Sequence, residues 1–88
     1  FSNKRNIEVD KFKSLMIHSE RWHKAQQMRN YIKAMQEQTM LNNKIDDELK
    51  NFLNWARLKI NWYDPLIELE DDILKNVDRD TLEIKSRR

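Results

Sequence analysis

Eighty-eight residues with no glycine, no cysteine and a single proline exclude most fold classes at once. Hairpins, sandwiches and barrels lean on glycine-rich turns, phosphate loops need glycines at fixed offsets, and disulfide frameworks, thiolate metal sites and Cys nucleophiles need cysteine. A net charge of +2 with 36% charged residues fits one small helical domain with solvated faces, whose core is thin because a chain of this size buries only about 60% of its unfolded surface.

The charge is unevenly spread. Residues 1–41 carry eight Lys/Arg against four Asp/Glu, and residues 64–77 carry one Lys against five acids. The simplest consequence is attraction between the two regions inside the fold; the alternative is steering of a charged partner. No apolar run approaches the roughly 18 residues of a membrane span, and no secretory leader pattern opens the chain. The absence of cysteine fits a reducing compartment, so a cytoplasmic location is expected. The first residue is Phe rather than Met, and the sequence is expected to belong to a longer polypeptide.

Residues 1–9 have weak periodicity and read as a lead-in, with Asp10 as the N-cap of a first helix. From Lys11 to about Gln38 nothing interrupts helical propensity. The apolar phase shifts along this stretch, however. Phe12, Leu15 and Met16 lie on one side, and Ala25, Met28, Ile32 and Met35 on another, more than 100° away, with Trp22 between. The segment is read as one long helix or two nearly collinear ones, any kink falling at His18–Ser19, where Ser19 could cap a restart. Gln38–Asn43 supplies the first turn, Asn42 or Asn43 taking the left-handed conformation that glycine would otherwise provide, or capping the next helix.

The stretch 43–65 organises the rest. Ile45, Leu49, Phe52, Leu53, Ala56, Ile60 and Tyr63 recur on one helical face, and Trp55, Leu58 and Trp62 form a second face beside it. Such a wide apolar arc calls for two neighbours rather than one. Asp64-Pro65 then acts as a stop and restart, since Pro disfavours helical geometry before it and is welcome at the first position of a new helix. A third helix over 65–76 would place Leu66, Leu69, Ile73 and Val77 on one face. Residues 79–88 alternate at Leu82 and Ile84 and read as a short strand, a frayed helix or a linker.

Two groups of residues resemble a helical region near the C-termini of uncharacterised bacterial proteins, some of them associated with mobile elements. These are Trp55-Ala56-Arg57-Leu58-Lys59 followed by Trp62-Tyr63-Asp64-Pro65-Leu66, preceded by Arg21, Trp22, Ala25, Met28, Arg29, Tyr31, Ile32 and Met35. The resemblance covers about residues 20–70, with Asn61 standing where a small or acidic residue is usual. It implies a bacterial origin and a helical accessory region, and it carries no assigned chemistry.

Catalytic and metal signatures are weak. His18 and His23 are five apart and diverge on a helix, whereas a metal pair wants i,i+3 or i,i+4 spacing. Glu68, Glu70, Asp71 and Asp72 form a run that usually marks a solvated face, and Ser14 and Ser19 have no base or oxyanion donor in view. No cofactor is expected and the chain is read as non-enzymatic. Two binding readings remain. Trp55, Leu58 and Trp62 would dock a protein partner, the remainder of the parent chain or a second copy, because Trp is enriched at interaction hot spots. The alternative is nucleic acid, read by Gln26, Arg29, Asn30 and Lys33 on one polar face of the first helix, with phosphate contacts from Lys4, Arg5, Lys11, Lys13, Lys24, Arg87 and Arg88. The overall expectation is an all-α, three-helix bundle with helices at about 11–38, 44–62 and 65–76, the middle one packed between the others, serving as an interaction module.

Overall fold

The computed structural model describes residues 2–43 and 46–85. It is all-helical, with two helices in chain order: α1, Ser2–Leu41, and α2, Asp47–Tyr63. An irregular segment over 64–85 follows, closed by one isolated antiparallel bridge between Val77 and Ile84. No described helix is long and apolar enough to cross a membrane.

α1 is 40 residues long and passes Ser19 without a break. At about 1.5 Å per residue such a helix spans about 60 Å, which accounts for the 63 Å long axis of the molecule. Two expectations are corrected here. Residues 2–9 belong to the helix rather than to a lead-in, and Asp10 lies in its interior rather than at its cap. Nothing in FSNKRNIEV opposes helical geometry, and an N-cap is an opportunity that the chain need not take when helix-compatible residues precede it.

α1 ends where Asn43 takes a left-handed conformation, φ 54°, with its amide donating to the carbonyl of Met40 at 3.2 Å. Asparagine tolerates that region better than most residues, and it stands in for the glycine this chain lacks. α2 opens on Asp46, whose carboxylate accepts from the amide of Leu49 at 2.8 Å, with Asp47 and Glu48 in the first turn where the helix dipole favours negative charge. Lys44 and Ile45, the latter expected on the apolar face of this helix, lie outside the described residues.

The core is small. Ala25 and Ile32 of α1 meet Leu53, Ala56 and Ile60 of α2, with Met35 and Leu49 packed against them. These α2 residues are the face expected to be buried, and only the C-terminal half of α1 reaches them. Every described side chain from Asn3 to Glu20 is exposed.

The third helix does not form, so the three-helix bundle is corrected to a helical hairpin with an irregular C-terminal cover. Pro65–Ile67 makes one turn, with the amides of Ile67 and Glu68 donating to the Asp64 carbonyl at 3.0 and 2.8 Å. Glu68 then enters the left-handed region, φ 47°, which ends the turn. Two further competitors defeat the helix. The Asp71 carboxylate accepts from the amides of Ile73 and Leu74, a local turn that a helix interior cannot keep. The Arg79 guanidinium approaches the carbonyls of Glu68 and Leu69, which a helix would have used itself. A twelve-residue helix is marginal by itself, and such local bonds suffice to displace it.

Candidate functional site

The C-terminal segment is held against the end of α2 by three arginines. α2 carries no basic residue in its last turn, so the cations that its carbonyl end attracts arrive from elsewhere. Arg21, 3% exposed, donates twice to the Tyr63 carbonyl, at 3.1 and 2.8 Å, and lies over the Tyr63 ring. Its remaining donors reach Glu68 at 3.0 Å and Asp80 at 2.8 Å. Arg79 donates to the Trp62 carbonyl at 2.6 Å and stacks over the Trp62 ring, 5.1 Å from its centroid. Arg29 pairs with the buried carboxylate of Asp64 at 2.8 Å and donates to the Asn61 side chain at 3.0 Å and to Gln26. The Arg21 and Arg29 bridges join the basic first helix to the acidic segment, so part of the charge asymmetry is satisfied inside the fold. Lys59 of α2 adds a further tie to Asp71, whose carboxyl it holds below the usual carboxylate range against the opposing pull of burial.

This clamp decides the fate of the tryptophan face. Trp62 is buried beneath Arg79, whereas Trp55 and Leu58, two turns and one turn earlier, stay half-exposed. The three residues expected to dock a partner are thus divided. Trp62 belongs to the interior, and Trp55 and Leu58 remain at the surface.

Trp55 lines an open apolar groove of about 880 Å³. One wall is α1, through Met28 and Tyr31; the floor is α2, through Phe52 and Trp55, whose rings lie 5.7 Å apart; the far wall is the C-terminal segment, through Val77 and Leu82. The groove exists because the 76–85 segment folds back on itself. The Lys85 amide donates to the Asn76 carbonyl and the Asp78 amide to Glu83, with Leu82 in the left-handed region, φ 61°. The residues read as an alternating tail therefore form a rudimentary hairpin that faces α2. Leu58, on the far edge of α2, does not line the groove. Its lining is mostly apolar, with Lys24, Gln27 and Lys59 among the exceptions, so it can bury an apolar surface.

The polar face of α1 is placed less favourably for reading bases. Arg29 is committed to Asp64 and Asn61, and Gln26 to Arg29, while Asn30 and Lys33 stay exposed. Arg87 and Arg88 lie outside the described residues. His18 borders a polar cleft of about 330 Å³ beside Arg21, Glu68 and Asp80, and no group of three or more His, Asp or Glu poised to hold a metal occurs among the described residues. The acidic run is broken up rather than solvated as one face, Glu68 pairing with Arg21 and Asp71 with Lys59.

The signal missed in sequence was the role of arginine. Sequence reasoning gives Arg21 and Arg79 no role, yet both are placed by the open carbonyls at the end of α2 that Asp64-Pro65 creates. That proline announces an unsatisfied helix end, and cations elsewhere in the chain are its natural partners.

No protein-family model, curated protein or solved structure matches this chain.

Proposed function

We propose that this chain is a non-enzymatic helical interaction module of a larger bacterial protein, working in the cytoplasm, whose Trp55 groove takes up an apolar segment from elsewhere in that protein. The observation that carries the reading is the groove itself. It places Phe52, Trp55, Met28 and Tyr31 at the surface around one concavity, where a soluble chain of this size would gain by burying them. Aromatic side chains and Met are the residues enriched at the centre of protein interfaces. The resemblance to helical accessory regions supports the same reading. Nucleic-acid binding is supported less well, since Arg29, the side chain best suited to reading guanine, already serves Asp64.

The test is binding of labelled peptides that tile the rest of the parent protein, followed by fluorescence anisotropy. At least one apolar peptide should bind wild type, and Trp55→Ala should weaken that complex at least about tenfold, as expected for a hot-spot aromatic. Labelled duplex and single-stranded DNA should show no binding at low salt. Peptides that bind Trp55→Ala as well as wild type, or DNA affinity falling steeply with added salt, would overturn the proposal.

A further inference from the structure

The two sides of the seam between α1 and α2 are built differently. On one side polar groups close it. Arg29 of α1 donates to the Asn61 side chain at 3.0 Å, and Arg57 of α2 donates to that of Gln36 at 3.2 Å. On the other side the shoulders of the helices are apolar, with Met28 and Tyr31 from α1 and Phe52 and Trp55 from α2 lining the groove. All four are exposed, Tyr31 by 63% and Trp55 by 54%. Arg21 reaches Tyr63 while Gln36 reaches Arg57, so the helices run antiparallel. Lys24 and Lys59 therefore stand at one end of the groove, and Tyr31 and Phe52 at the other.

We propose, building on the docking reading above, that the segment taken up is an amphipathic α-helix of about three turns carrying a carboxylate that faces Lys24. Its length follows from the floor. Phe52 to Tyr63 of α2 line the groove, a stretch of about 17 Å at helical rise, which three turns match. Its form follows from the walls. Both helices spend their interior amides and carbonyls on their own hydrogen bonds, so they offer a strand no edge to extend. They offer instead side chains one turn apart, Met28 and Tyr31 on α1 and Phe52 and Trp55 on α2, the ridges against which a further helix packs. Its amphipathic character follows from the groove being open. About 880 Å³ admits the apolar side chains of one helical face, and the opposite face stays in water. Its charge follows from the rim. The lining includes two lysines and no Asp or Glu among the described residues. Lys59 is engaged by Asp71. Lys24 is exposed and makes no ion pair among the described residues. A carboxylate at that end of the occupant meets an opposite charge, and a lysine there meets a like one.

The experiment titrates the 88-residue chain with three labelled, capped, Ala-rich peptides of about 16 residues, long enough to populate a helix. The first has leucines at i, i+3 and i+7 and a Glu at each end, so that a carboxylate reaches Lys24 in either direction. The second has the same composition with its leucines alternating, the pattern of a strand. The third is the first with Lys in place of Glu. Anisotropy gives the affinities, and the indole ¹H–¹⁵N signal of Trp55 locates the binding. The first peptide should shift that signal. It should bind at least about tenfold more tightly than the second and about threefold more tightly than the third. Lys24→Glu should invert the order of the first and third, whereas Lys13→Glu, an equal change of charge at an exposed position outside the groove, should preserve it. An alternating peptide that binds at Trp55 as tightly as the helical one would overturn the helical occupant and leave the groove reading standing. An order unchanged by Lys24→Glu, or inverted equally by Lys13→Glu, would overturn the assigned charge. If neither these peptides nor those tiling the parent protein move the Trp55 signal, both the helix and the groove reading fall.

Discussion

Arg29 and Asp64 show how much a single pair carries in a protein with so small a core. Asp64 is 2% exposed, caps α2, and also accepts from the Leu66 amide at 2.9 Å. Removing its partner leaves a buried carboxylate with only neutral donors. Arg29 is itself partly solvated, so the loss falls below that of a fully buried pair, and Arg29→Ala should cost about 2–3 kcal/mol, read from urea unfolding followed by circular dichroism. Asp71 gives a test in pH. Lys59 depresses its carboxyl from the ordinary 3.8, so its contribution to stability is complete above that value and disappears as pH falls through the lower, folded-state value. Lys59→Met should therefore be less stable than wild type at pH 6, and the gap should close as pH drops below 3.8, measured as the difference in urea midpoint at each pH.

Among the elements, α2 was the most legible. Its buried face, Leu53, Ala56 and Ile60, follows directly from the periodicity, and its termination at Asp64-Pro65 follows from proline chemistry. Leu53→Ala removes a large share of a thin core and should cost about 2–5 kcal/mol, visible as a lowered midpoint of the thermal transition. The phase shift in α1 was legible as a fact but not in its consequence. A change of apolar face along a helix signals either a break or two different neighbours, and only tertiary structure decides between them. Here the helix is continuous and the first face has no neighbour among the described residues. The segment 65–76 was misread because its spacing of Leu66, Leu69, Ile73 and Val77 satisfies a helix, while the interactions that defeat it come from Arg79 and from Asp71 acting on its own backbone. Periodicity reports what a segment can bury, and it is silent about side chains that compete for its carbonyls and amides.

At the scale of the whole molecule, the chain is elongated, with extents of 63 × 30 × 17 Å, and its apolar groove lies away from the exposed N-terminal half of α1. The division of the tryptophans follows from this layout. Both line the groove, but Trp62 is buried under the arginine clamp and Trp55 stands half-exposed, although the sequence spaces them as equals. Trp62→Ala is accordingly expected to destabilise by about 3–5 kcal/mol, whereas Trp55→Ala should leave the thermal midpoint nearly unchanged and act on binding. The same layout makes the Trp22 indole, outside the groove, a reference for the Trp55 indole within it. The most direct test of the docking proposal is the ¹H–¹⁵N spectrum of the indole N–H groups during titration with peptides tiling the rest of the parent protein. The account predicts that the Trp55 indole shifts as one peptide saturates, while that of Trp22 holds its position. A Trp55 signal that stays fixed through saturating binding would contradict it.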